Sequence, residues 1–145
     1  MSVAVQRWVK TDLAQVAEIE RACFSDCWSE KMLQEEYART GVVGLVVKDG
    51  DETLGYACAA SLFEDADLYR IAIYPAFRRT GLGSLLMNAL FEELKAQGAE
   101  RIFLEVRASN TPAVTMYEKY GFQTVRIREN YYAGKETAIE MQRDL

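Results

Sequence analysis

The sequence predicts an α/β domain built on a mixed sheet of about seven strands with about four helices. Three observations predict it. Stretches of strand-like and helix-like hydrophobic spacing follow one another in the order β-α-α-β-β-β-α-β-α-β-β. Two strand-like stretches meet at Asp49-Gly50-Asp51, a hairpin signal. A strand–helix–strand run from Leu68 to Val106 forms the expected parallel unit, with a right-handed crossover. The 145 residues include only two prolines and show no repeat or low-complexity run, so a single domain over residues 1–145 is expected.

Val3 to Val9 reads as a short strand, and Thr11 and Asp12 as the start of a helix with Leu13, Val16, Ala17 and Phe24 on one face. Ser29 caps a second helix, whose apolar positions include Met32, Leu33 and Tyr37. Val42 to Lys48 and Thr53 to Leu62 are the hairpin strands, and a third strand runs from about Leu68 to Ile73, stopped by Pro75. Leu82, Leu85, Leu86, Ala89, Leu90 and Leu94 recur at helical spacing from Gly81 to Gln97, ending at Gly98. Arg101 to Val106 is a strand, and Pro112 to Tyr120 a short helix with proline in its first turn. Phe122 to Arg128 and Lys135 to Gln142 close the chain as two strands around a turn containing Gly134.

Composition excludes several function classes. Hydrophobic residues at 50% and charged residues at 27% are those of a globular protein, not a disordered chain. The longest uncharged stretch, Thr80 to Phe91, is 12 residues. A membrane span needs about 18. Arg7 and Lys10 interrupt the only early apolar run, Val3 to Val5, so no signal peptide is read and a cytoplasmic protein is expected. A net charge of −5 argues against nucleic acid as a partner and favours a cationic acceptor. Cys23, Cys27 and Cys58 are an odd number of thiols and read as reduced. With no histidine in the chain, no metal site is expected and no Ser-His-Asp or Cys-His system can be built. Any general base is a carboxylate, a tyrosine, a lysine or a thiol.

The most informative passage is Arg78-Arg79-Thr80-Gly81-Leu82-Gly83-Ser84, between a strand and a long helix. Glycines let backbone approach a ligand, the first-turn N–H groups are free, and the helix dipole favours an anion. The two arginines add charge suited to phosphate. No Lys-Ser/Thr follows, which excludes a Walker loop, and Leu86 replaces the third glycine of a dinucleotide fingerprint. A plain strand-to-helix turn that happens to use glycine remains the alternative.

The spelling Arg-x-x-Gly-x-Gly, at Arg78, Gly81 and Gly83, resembles the pyrophosphate loop of the GNAT superfamily of acetyl-coenzyme A-dependent N-acetyltransferases. Ile71-Ala72-Ile73-Tyr74-Pro75 before it resembles the bacterial ribosomal-protein-alanine N-acetyltransferase branch. So do Leu104 to Asn110, then Ala113, Tyr117, Gly121-Phe122 and Asn130-Tyr131-Tyr132. Asp12, Glu20, Phe24 and Trp28-Ser29 fit more loosely. The resemblance implies a mostly antiparallel sheet whose central parallel strands splay apart. It implies acetyl-CoA as co-substrate, held by the loop from Arg78 through Ser84 and by the backbone of Ile71, Ala72 and Ile73. Direct transfer to a protein N-terminus follows, with the N-terminal alanine of a basic small-subunit ribosomal protein as the branch's acceptor. Arg70, where relatives often have asparagine, Thr137, in place of a common acidic residue, and Cys27, in place of a frequent proline, depart from the pattern.

Glu105 interrupts the apolar run from Ile102 to Val106. Glutamate is depleted in strands and costly to bury, which points to a cleft or a partner; a strand-end pair with Arg107 is the alternative. The resemblance makes Glu105 the proton acceptor. Tyr117 is a core tyrosine by its helical position, and by resemblance the proton donor to the coenzyme thiolate. Asn110 is a helix cap unless Thr111 takes that place and frees the Asn110 amide for the pantetheine, as the resemblance implies. Asn130, Tyr131 and Tyr132 read as aromatic residues of the last turn, able to grip a peptide or simply exposed. Acetylation of a small amine or internal lysine, a covalent route through Cys58, and a non-catalytic acyl-CoA-binding module are the competing functions.

Overall fold

A computed structural model describes residues 2–132, 134 and 136–145. Seven strands form one sheet in the order β1-β2-β3-β4-β5-β7-β6. They are β1 (Val3–Arg7), β2 (Val42–Asp49), β3 (Glu52–Leu62), β4 (Asp65–Ile73), β5 (Arg101–Arg107), β6 (Gln123–Tyr132) and β7 (Glu136–Asp144). The helices are α1 (Leu13–Cys23), α2 (Glu30–Ala38), α3 (Leu82–Ala96) and α4 (Thr111–Lys119). Every neighbouring pair is antiparallel except β4 and β5, as a strand–helix–strand crossover through α3 requires.

The helices divide two cores between the faces of the sheet. The leucine face of α3 buries Leu82, Leu86, Leu90 and Leu94 against Val43, Leu45, Ile102, Leu104 and Val106. Each such side chain contributes about 1.5–3 kcal/mol relative to exposure. On the opposite face, Leu13, Val16, Ala17 and Ile19 of α1 and Leu33 of α2 pack on Trp8, Val46, Tyr56, Cys58 and Ala72. No helix among the described residues is long and apolar enough to cross a membrane.

The sequence reading needs correction at several ends. The first strand stops at Arg7 rather than Val9, because Lys10–Asp12 forms a single 3-10 turn ahead of α1. Asp12 is buried there, accepting from Val9 N–H at 2.8 Å and pairing with Lys48 Nζ at 2.7 Å. Ser29 caps α2 as expected, its Oγ accepting from Met32 N–H, but of the three apolar positions only Leu33 is buried. The third strand begins at Asp65, three residues before Leu68. Asn130, Tyr131 and Tyr132 belong to β6, not to a turn, with Asn130 at φ +55° where the pairing with β7 shifts register. Lys135, expected to open the last strand, lies outside the described residues.

Candidate active site

The site begins with an irregularity in β4. Opposite β3, Ala59 pairs with Leu68 and Cys58 with Arg70, so Tyr69 is an extra residue in the strand. A bulge bends a strand, raises its twist and changes which face the following side chains address. Before it, Ala66 and Leu68 join the α3 core; after it, Ile71 and Ile73 pack there, while Ala72 joins the α1 core. The parallel ladder with β5 covers only Asp65, Ala66 and Asp67, opposite Arg101, Ile102 and Phe103. Beyond Asp67 the two strands diverge, and among the described residues the β5-facing edge of β4 has no sheet partner. This is the splay expected from the resemblance.

Three contiguous cavities occupy the split. One of about 400 Å³ lies between Ile71–Ile73 and the glycine turn, touching Arg78, Arg79, Gly81, Leu82, Gly83 and Ser84. A second, of about 380 Å³, shares Cys23, Phe24 and Ile71 with the first and contains Glu105, Asn110, Tyr117 and Tyr132. A third, of about 520 Å³, shares Asp26, Tyr69, Arg70 and Glu105 with the second and runs on toward Phe103, Arg128 and Glu140. Glu105 thus stands where the last two meet.

The glycine turn is built to accept an anion. Gly81 caps α3 at φ +84°, a left-handed conformation that costs an L side chain about 1–2 kcal/mol. The first helical hydrogen bond is Leu85 N–H to Gly81 C=O, and the amides of Thr80, Gly81, Leu82, Gly83 and Ser84 have no acceptor among the described residues. A Cβ at Gly81 would meet nothing within 4 Å, and one at Gly83 would find only the Tyr120 hydroxyl at 3.5 Å. Packing within the protein therefore does not demand glycine at 83; the space it leaves opens onto the cavity. Free amides at a helix N-terminus suit an anion, and those of Gly81 to Ser84 border the cavity.

The two arginines separate. Arg78 folds back, donating from Nε to Ile73 C=O at 3.1 Å and from Nη2 to Cys23 Sγ at 3.3 Å. Arg79, at φ +62°, makes no ion pair among the described residues. Thr80 turns its hydroxyl to Phe77 C=O at 2.6 Å and does not line the cavity. Ser84 Oγ lies 3.0 Å from the Tyr120 hydroxyl, tying α3 to the end of α4.

Glu105 points away from the α3 core, exposed to the split, and has no ion-pair partner among the described residues. The pairing with Arg107 does not form: Arg107 Nη1 binds Glu136 Oε2 at 2.9 Å, and Ser109 Oγ donates to the same carboxylate. Those two donors hold the Glu136 carboxyl below its ordinary value, the Ser109 hydroxyl first. Glu105 also pairs in register with Glu140 of β7, a like-charge arrangement that destabilises a sheet by some tenths of a kcal/mol. Nothing in packing calls for it. Tyr117 sets its ring edge-on to Phe122 with centroids 5.8 Å apart, and burial pushes its phenol up to about 12. Its hydroxyl has no partner among the described residues.

Asn110, not Thr111, caps α4: its Oδ1 accepts from Ala113 N–H at 3.3 Å, which leaves the Nδ2 donors free. Tyr132 lines the cavity beneath the Arg107 guanidinium at 4.4 Å, its phenol raised by burial and then by the Glu105 carboxylate. Asn130 and Tyr131 line none of the three cavities; Tyr131 lies under Arg128 at 5.1 Å, half exposed. Cys58 is fully buried, and burial pushes its thiol up to about 12, so no nucleophilic thiolate is presented there. The sequence reading did not single out Phe24, Tyr69, Met116 or Tyr120 as lining residues. Each has the spacing of a core aromatic or aliphatic residue, and no signal separates it from one.

Known proteins are similar to this chain in sequence and fold. The pattern of the acetyltransferase (GNAT) family matches residues 13–122. The [ribosomal protein bS18]-alanine N-acetyltransferase of Salmonella typhimurium is 37% identical over 134 residues, covering 90% of each chain. The protein of the same name from Haemophilus ducreyi is 32% identical over 142 residues, 94% of this chain and 97% of its own. The crystal structure of the ribosomal-protein-S18-alanine N-acetyltransferase from Escherichia coli superposes with a TM-score of 0.89 at 32% identity, covering 99% of this chain and 94% of that one.

Proposed function

Because the chain belongs to the acetyltransferase (GNAT) family, we propose that it acts as one domain that transfers the acetyl group of acetyl-CoA directly to a protein N-terminus. The acceptor is the N-terminal alanine of ribosomal protein bS18, the substrate in the names of its relatives. One observation carries this reading: the amides of Gly81 to Ser84 and the Glu105 carboxylate, all without partners among the described residues, border the cavities of the same split between β4 and β5.

The roles follow from what each group can do. The amides of residues 81–84, with Arg79 beside them, bind the diphosphate of acetyl-CoA. The unpaired edge of β4 at Ile71–Ile73 and the Asn110 amide hold the pantetheine arm. When bound, acetyl-CoA supplies an electrophilic thioester carbon and a thiolate leaving group. An α-ammonium has a pKa of about 7.7–8.0, so at neutral pH most acceptor is protonated, and Glu105 takes that proton. Tyr117, neutral across the physiological range, donates its phenolic proton to the departing sulfur. The walls around Tyr132 and Arg70 receive the acceptor.

A thiol-release assay with acetyl-CoA and short peptides tests this. Peptides beginning with alanine are expected to turn over, and a blocked peptide with an internal lysine is not. No thiol release above background from any alanine-first peptide, or faster release with the lysine peptide, overturns the assignment. Glu105→Gln is expected to lower turnover about 100-fold at pH 7, with the deficit shrinking above about pH 8, where the amine loses its proton unaided. A wild-type pH profile in that variant removes Glu105 from the mechanism.

A further inference from the structure

Arg70 is placed by the same bulge that opens the sheet. Tyr69 is the extra residue, so the Arg70 side chain turns toward α1 and the segment that follows it. There its Nη2 lies 3.3 Å from Glu20 Oε1, a fully buried carboxylate, and donates to Asp26 C=O at 2.9 Å. The guanidinium also sits over two rings, Phe24 at 4.2 Å and Trp28 at 5.0 Å. Only 14% of the side chain is exposed. Its partner is fixed as well, since Glu20 accepts from the Tyr56 hydroxyl on β3 and from Trp28 N–H at 2.7 Å.

The segment from Phe24 to Trp28 otherwise has little to hold it. Between Ser25 and Trp28 no backbone N–H among the described residues donates to another backbone group. After the Phe24 N–H to Glu20 C=O bond that ends α1, two hydrogen bonds among the described residues tie this backbone down: Trp28 N–H to Glu20, and Arg70 to Asp26 C=O. Yet Phe24, Asp26 and Trp28 form the wall of the two cavities that contain Glu105. A planar guanidinium can stack on both rings and reach two separate acceptors at once; an ammonium cannot.

We propose that Arg70 is a positioning residue for the acceptor: it clamps the Phe24–Trp28 segment as the wall facing Glu105, and so sets how tightly the acceptor's first residues are held. This rests on the reading that the acceptor amine meets Glu105. It predicts a defect in acceptor binding rather than in chemistry.

The test compares Arg70→Lys, Arg70→Met and Trp28→Leu with the wild type in the thiol-release assay. All three are expected to raise KM for an alanine-first peptide about tenfold, with kcat and KM for acetyl-CoA within about twofold of wild type. Trp28→Leu added to Arg70→Lys is expected to cost less than the product of the two single effects. Acrylamide quenching gives a second readout, because Trp8 is buried and a rise in quenching in Arg70→Lys reports Trp28. Unchanged peptide KM in Arg70→Lys and Trp28→Leu overturns the proposal, as does a fall in kcat with both KM values unchanged, the mark of a merely structural role. Should the Arg70 variants fail to fold, Trp28→Leu decides it from the other side of the clamp. A wild type that turns over no N-terminal peptide overturns the function proposed above, and this role with it, before any variant is made.

Discussion

Tyr117 sits where a packing role and a chemical role give opposite forecasts. Its ring is packed against Phe122, yet its hydroxyl has no hydrogen-bond partner among the described residues. The residue is half-buried and its hydroxyl reaches the cavity, so packing holds the ring without giving the oxygen a task. Removing the oxygen alone separates the two. Tyr117→Phe is expected to keep the wild-type melting temperature within a degree or two, because no hydrogen bond is lost, while kcat falls about 100-fold. Paired thermal melts and thiol-release rates measure it; a drop in melting temperature with normal kcat would make the residue structural. Glu105 stands out in the sequence because it interrupts an apolar run, whereas Tyr117 has the spacing of a core tyrosine and only the resemblance singles it out. Arg70 was visible only as a departure from relatives, since which face its side chain takes depends on a bulge that neither glycine nor proline marks.

At the scale of elements, regular segments were read well and their irregular ends were not. The leucine spacing of α3 located it to within a residue at each end, and β5 likewise, because a continuous apolar face has only one period that fits. The start of β4 was missed because Asp65 and Asp67 are poor strand formers, although they flank the ladder that joins β4 to β5. The turn containing Gly134 is expected to begin after Arg128, yet β6 runs on through Tyr131 and Tyr132, with Asn130 at a positive φ inside the strand. The glycine turn could be tested by an opposite-sign experiment. Gly83 is helical, and a Cβ there would make an ordinary contact at 3.5 Å, so Gly83→Ala is expected to stabilise the fold by about 0.5–1 kcal/mol. The added methyl would intrude on the cavity facing the free amides, so KM for acetyl-CoA is expected to rise about tenfold. Melts and initial rates on the same preparation check both; a lower melting temperature would mean that glycine serves the helix rather than the ligand.

Across the whole molecule, the sheet consists of two antiparallel blocks, β1 to β4 and β5 with β7 and β6, joined by a parallel ladder of three residue pairs. The α3 helix braces that join on one face, while the other opens into the cavities. A ligand seated between the glycine turn and the β4 edge, and reaching Asn110, touches both blocks. Such a ligand binds only the folded chain, and at a hundred times its dissociation constant it adds about 2.7 kcal/mol of stability. For a chain of this size each kcal/mol raises the melting temperature by about 2–4 °C, so coenzyme A at that concentration is expected to shift it by about 5–11 °C. Hydrogen exchange assigns the effect to its source: protection is expected at the amides of residues 81–84 and along Leu68–Ile73, with no change in the β1–β2 pair. An equal shift with adenosine diphosphate would place all the binding in the diphosphate turn. A larger shift with coenzyme A, accompanied by protection of the β4 edge, requires that the pantetheine arm lies in the split, where its sulfur comes within reach of the residues around Glu105.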